Sequence, residues 1–153
     1  MARDWALFLH LVGVLVFVAG AIAVTALRLL AIGRRPSESA LLLRAVRPLV
    51  PLVGVGLVWT VAAGAWLAHE LGFSYGSSWL RWTYVLIVWL LVVGAVAGRL
   101  DRRTRELAEH VAATGDEPSP ELARCLRDPV ALTLDASMLV ATLTIVALMV
   151  WKP

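Results

Sequence analysis

A chain of 153 residues, 60% hydrophobic and only 16% charged, with a mean hydropathy of +0.81, lies outside the composition of soluble domains. So small a body cannot bury that much apolar surface, whereas lipid solvates it directly, so one membrane-embedded domain over residues 1–153 is predicted. The net charge of +3 comes from arginines beside apolar runs and not from basic stretches interleaved with aromatics, which makes the lipid bilayer the predicted partner and sets nucleic acid aside.

The first apolar run extends from about Trp5 to Leu27. Like the three that follow, it supplies the roughly 20 residues a helix needs to cross a bilayer core. Arg3 ahead of it and Ala19, Ala21 and Ala23 within it resemble a cleaved signal peptide. The apolar sequence continues past those alanines, and Arg28, Arg34 and Arg35 follow at once, so a retained span is expected. His10, Gly13, Phe17, Gly20 and Val24 share one helical stripe, which turns His10 toward the other helices.

The second run extends from about Leu49 to Ala68, with Pro48 and Pro51 suited to its first turn and His69 and Glu70 at its end. Gly56, Thr60 and Gly64 form a row of small residues along it. The third run, from about Trp79 to Gly98, places Gly94 and Gly98 as a GxxxG pair below Ile87 and Leu91, and Gly98 passes the helix into a polar segment. Residues 99–128 are the sizeable polar stretch. Its first part reads as a helical extension lying at the membrane surface, followed by a break from Gly115 to Pro120 and a short helix that Ser119 caps. The fourth run, from about Pro129 to Trp151, has Asp128 as its cap and aligns Asp135, Leu139, Thr142 and Val146. The expected fold is all-α, a transmembrane antiparallel four-helix bundle held by its small-residue seams.

Eleven of the 14 basic residues surround the first and third loops: Arg28, Arg34, Arg35, Arg44 and Arg47, then Arg99, Arg102, Arg103, Arg105, Arg124 and Arg127. Arg3, Arg81 and Lys152 fall on the other side. The positive-inside rule places those two loops in the cytoplasm and both termini outside. Trp5, Trp66, Trp79, Trp82 and Trp151 all lie near the outer boundary, where indole rings favour the headgroup zone.

Ionisable groups within spans are costly and mark candidate sites. His10 and His69 come to similar depth near the outer face, and two imidazoles from neighbouring helices are a common way to hold haem b; copper is the other candidate. The competing reading makes His10 a hydrogen-bonding core residue and His69 an interfacial one. His69 shares a face with Val55, Ala62 and Ala65, roughly opposite the Gly56–Thr60–Gly64 row, which weighs against joint ligation. Asp135, two turns into the fourth span from the cytoplasmic end, has Arg28, Arg44 or Arg99 as partners, or relays a proton. Trp59 and Trp89, near the middle of their helices, either flank a flat ligand such as a quinone or porphyrin or pack the core. His110 reads as a solvated loop residue, and Cys125, the lone cysteine, forms neither disulfide nor thiolate cluster. No catalytic residue is assigned: HExxH, Walker, GxSxG and paired-carboxylate patterns are absent, as are the polar lining of a channel and the interrupted helices of a transporter.

FLHLVG at Phe8 to Gly13, AWLAHELG at Ala65 to Gly72, SSWL at Ser77 to Leu80, GRLDRRTREL at Gly98 to Leu107 and LMVWKP at Leu148 to Pro153 together resemble a family of small bacterial integral membrane proteins known as domain of unknown function 2269. The resemblance covers essentially the whole chain; it implies four helices in a bacterial cytoplasmic membrane and names no reaction. More distantly, the first helix is similar to those of the copper-resistance D and haem-binding membrane protoporphyrinogen oxidase proteins, where a histidine lies in an LHxxG-like setting. That similarity implies a ligand role for His10 alone, and the WxGG that often follows is here Phe17, Val18, Ala19 and Gly20. Three functions follow as expectations: a haem b or copper protein passing electrons to or from a quinone, an accessory subunit docking on other membrane subunits, and a small metal-ion permease.

Overall fold

A computed structural model describes residues 1–74 and 76–151; Tyr75, and with it the Lys152 counted on the outer side and the Lys-Pro ending, lie outside the described residues. Five helices follow one another: α1 (Ala2–Ala31), α2 (Pro36–Glu70), α3 (Ser78–Thr114), α4 (Pro120–Leu126) and α5 (Pro129–Trp151). No strand occurs among the described residues, and α1, α2, α3 and the α4–α5 unit are each long and apolar enough to cross a membrane. The spans face outward with large apolar side chains such as Leu15, Val55, Trp82 and Val140, all more than half exposed, as lipid allows and water would not.

Packing runs as an arc. α1 pairs along α2, α2 packs on α3 and α3 on α5, while α1 and α5 make little direct backbone approach. Two cores result. The membrane core gathers Phe17, Leu57, Leu90 and Ala141, one from each spanning helix. A second core, at the end of the bundle that carries the α1–α2 turn and α4, joins Ala31, Ala40, Leu43, Ala108, Leu122 and Leu126.

That second core exists because α2 and α3 are longer than their apolar runs. α2 begins at Pro36, so Pro48 and Pro51 lie inside the helix and not in its first turn. Each removes a backbone donor, at roughly 3 kcal/mol for an interior position. The helix persists because Ala40, Leu43 and Val46 are buried on the near side of the prolines, and because the carbonyls left unpaired, those of Arg44 and Arg47, lie at the polar end of the span. α3 continues past Gly98 to Thr114 as the expected helical extension, and that extension packs against α2 and α4 through Ala108. Gly115, at a φ of 151°, ends it.

Local signals set the remaining ends. Ser119 Oγ accepts the Leu122 N–H at 3.3 Å, and Asp128 Oδ1 accepts the Val130 N–H at 3.0 Å, so α4 and α5 both start on side-chain caps with a proline in the first turn. The cap of α2 is remote in sequence. Asp116 accepts the Ser37 N–H on Oδ1 at 2.6 Å and the Ser37 hydroxyl on Oδ2 at 2.8 Å. The carboxylate thereby satisfies an orphan donor and meets the positive end of the helix dipole. The Ser37 hydroxyl, and then its backbone N–H, hold the Asp116 carboxyl below its ordinary range. A carboxyl lowered on folding adds stability above its unfolded pKa and loses it as pH falls through the folded one. Asp116→Ala therefore lowers the melting temperature at neutral pH, and the gap between variant and wild type closes in acid. A gap independent of pH would show that the carboxylate charge does not carry the cap.

Candidate functional site

The α1–α2 seam comes first, because it positions the one buried histidine. A Cβ added to Gly13 would lie 2.8 Å from Thr60 N, and one added to Gly56 2.8 Å from Phe17 N; at Gly20 it would meet Val53 Cγ2 at 2.7 Å, and at Gly64 the His10 ring at 3.0 Å. Four glycines thus let two helices approach to backbone contact. The closeness permits a reciprocal pair of hydrogen bonds. His10 Nδ1 lies 2.9 Å from the Thr60 carbonyl of α2, and Trp59 Nε1 donates to the Leu9 carbonyl of α1 at 3.1 Å. A carbonyl only accepts, so Nδ1 carries a proton, and in the neutral imidazole Nε2 then keeps its lone pair. Among the described residues no hydrogen-bond partner of Nε2 is seen.

His10 is buried, and its imidazole lines a cavity of about 280 Å³ between the four spans, in the half nearer the α2–α3 turn. α1 contributes His10, Val14 and Phe17; α2 contributes Leu57, Thr60 and Gly64; α3 contributes Leu80, Tyr84 and Leu90; α5 contributes Thr142, Ile145 and Met149. The wall is overwhelmingly apolar; its polar side-chain groups are the imidazole, the Thr60, Tyr84 and Thr142 hydroxyls and the Trp79 indole N–H. The Thr60 and Thr142 hydroxyls are already committed to the Gly56 and Met138 carbonyls. Such a space orients an apolar guest by very few polar contacts.

Its rim is built by a turn. The Gly72 N–H bonds the His69 carbonyl and the Phe73 N–H the Ala68 carbonyl, each at 3.0 Å, with Gly72 at a φ of 68°. This is a Schellman stop, which reverses the chain through a left-handed glycine and carries the next apolar residue back over the helix. Phe73 consequently lines the cavity and meets Trp79 edge to face, ring centroids 5.5 Å apart. Phe73, Tyr84 and Met149 were not anticipated, and Trp79 was assigned only to the aromatic belt. The Gly-Phe step after the second apolar run was the available signal for Phe73.

The other candidate residues are dispersed. His69 is exposed on the far face of α2 and is not among the cavity's lining, so it is not brought to His10; five residues beyond Gly64 the helix has turned well away. Trp59 serves the α1–α2 latch and Trp89 is about half exposed; neither lines the cavity. Among the described residues no group of three His, Cys, Asp or Glu side chains is close enough to hold a metal ion. Gly94 and Gly98 do not form a tight seam, since a Cβ at either finds only Met138 Cε at 4.0 Å or Val50 Cγ1 at 3.7 Å. The buried face of α3 is instead Leu80, Thr83, Leu90, Val93 and Ala97; α5 packs through Ala131, Met138, Ala141 and Ile145, with Thr142 and the half-exposed Val146 at the cavity and Leu139 exposed.

Near the α1–α2 turn, at the far end of α1 from its N-terminus, Arg28 of α1 takes two carboxylates. Its Nε lies 3.0 Å from Asp101 Oδ1 of α3 and its Nη1 donates to Asp135 Oδ2 of α5 at 2.8 Å. The three side chains are 9–16% exposed. Asp101 was not singled out in the sequence, where it is one charge in the run GRLDRRTREL.

Four apolar helices around a lined cavity define the class: an integral membrane four-helix bundle resting in a lipid bilayer. More particularly, the chain belongs to the DUF2269 family of predicted integral membrane proteins, which it matches over residues 5–153. No curated protein and no solved structure matches it significantly.

Proposed function

We propose that this is a bacterial cytoplasmic-membrane protein, both termini outside, whose outer cavity binds a flat apolar redox group through His10 Nε2, with haem b as the first candidate and electron exchange with a quinone as its use. The observation that carries the reading is the Nδ1–H bond to the Thr60 carbonyl. Ligating histidines characteristically donate their other ring N–H to a carbonyl or carboxylate, which sets the tautomer and aims the ligand nitrogen. Copper fits less well, because beyond one imidazole and the Met149 thioether the wall offers no nitrogen, thiolate or carboxylate donor. A space of about 280 Å³ is at the lower end of small-molecule pockets, roughly 300–1,000 Å³, so a porphyrin would extend beyond it between α1 and α5, which scarcely touch.

The arginine distribution supports the orientation, and the family resemblance supports the bacterial membrane. One observation favours a second reading, an accessory subunit: of the 23 residues of α5 only Ala131 and Ala141 are buried, which leaves most of that helix free to meet another membrane protein. A metal-ion permease has no such support.

The test is a pair of visible spectra, oxidised and dithionite-reduced, of protein purified in mild detergent after expression with added haem. Wild type and His69→Ala are expected to show a haem spectrum and His10→Ala to lose it. A folded, colourless wild type would sink the haem reading and favour the accessory subunit.

A further inference from the structure

The cluster at the cytoplasmic end is independent of the cavity and carries a charge imbalance. Two carboxylates and one guanidinium, all ionised, leave a net charge of −1 among side chains 9–16% exposed, at the inner boundary of the spans. Both acids draw on one cation, and like charges that share a site do not ionise together readily. The two contacts are also unequal. Asp135 Oδ2 accepts a well-formed 2.8 Å hydrogen bond from Nη1, whereas Asp101 Oδ1, 3.0 Å from Nε, is fully enclosed and has no hydrogen bond, and Asp101 as a whole is 8% exposed. An enclosed carboxylate oxygen without a donor is expensive as an anion and much less so as part of a neutral acid. The charged groups acting on Asp101 are Arg28 from α1, Asp135 from α5 and Arg105 on its own helix; none from α2 or α4 is among them. Arg105 is partly buried and forms no ion pair with either carboxylate; it acts on Asp101 only as the weakest of these charges, so it lessens the imbalance without a direct contact.

We propose that Arg28, Asp101 and Asp135 form a one-proton site: the two carboxylates share a single proton at neutral pH, held mainly on Asp101, while Asp135 stays ionised on Arg28. The ligand is a proton exchanged with the cytoplasmic side. Its release leaves the junction of α1, α3 and α5 with an uncompensated negative charge, and this junction is the polar tie between α1 and α5. The folded protein then binds a proton the unfolded chain does not, so stability falls as pH rises through the site's titration.

The experiment uses the full chain in lipid nanodiscs. Infrared spectra across a titration from about pH 5 to about pH 9 read the protonated-carboxyl C=O stretch, and melting temperature is followed in parallel. Wild type is expected to show a buried protonated-carboxyl band at neutral pH that disappears at alkaline pH as the melting temperature falls. Asp101→Asn and Asp135→Asn are each expected to fold and to lose the band, because either leaves one carboxylate for one arginine; both flatten the stability profile. No band in wild type at neutral pH overturns the proposal without requiring any variant to fold. So does a band that survives in both single variants. A melting temperature raised by sodium at alkaline pH, with no band at neutral pH, assigns the missing charge to a metal cation and overturns it as well.

Discussion

Arg28→Ala is expected to lower stability by about 3–5 kcal/mol, the cost of stranding buried charge when one partner of a buried pair is removed. The guanidinium reaches α3 and α5 at once, Asp101 at 3.0 Å and Asp135 at 2.8 Å, and no other side-chain polar contact ties α1 to α5 among the described residues. Arg28→Lys is expected to recover only part of the loss, since an ammonium lacks the planar fork that serves two carboxylates in different directions. Arg102→Ala is the control. Its partner Glu106 is 2.8 Å away, but both side chains are more than half exposed, and surface pairs of this kind rarely have a measurable effect. The check is thermal unfolding in detergent followed by helical circular dichroism. Equal melting of Arg28→Ala and wild type would show that the bundle does not depend on the cluster.

The second large effect is expected at the seam. Gly56→Ala places a methyl 2.8 Å from Phe17 N, and Gly13→Ala one 2.8 Å from Thr60 N; in both cases the obstacle is backbone and cannot rotate away. Overpacking of this kind costs about 1–3 kcal/mol, and it parts α1 from α2 where His10 reaches Thr60. Both variants are therefore expected to lose stability and to weaken any ligand bound at His10. Gly20→Ala is expected to be milder, because Val53 Cγ2 is the near atom and a side chain can move. Gly94→Ala meets nothing closer than 4.0 Å and is expected to stabilise, by up to about 1 kcal/mol of helix propensity. Melting temperatures of the four variants give the ranking, and a destabilised Gly94→Ala would contradict this account of where the tight contacts lie.

Sequence alone determined the four spans, the short fourth helix and its neighbour's start, and the small-residue faces of α1 and α2, though not that these two faces meet. Span length and apolarity are properties of the chain itself, and caps such as Ser119 and Asp128 act within three residues. The small residues of α1 and α2 were legible because only they allow backbones to meet.

Tertiary structure decided the rest. It carried α2 through Pro48 and Pro51, left Gly94 and Gly98 of α3 without a tight backbone contact, excluded His69 from the cavity, brought Phe73 and Tyr84 to it, and chose Arg28 with Asp101 for Asp135. The physical reason is the solvent. In water an amphipathic stripe says which face of a helix is inside, because burial of apolar surface drives folding. A helix in lipid is apolar on every side and meets an apolar medium on every side, so its pattern carries little information about facing. Shape and a few polar contacts between distant residues then settle the arrangement, and these appear only once the helices are placed together.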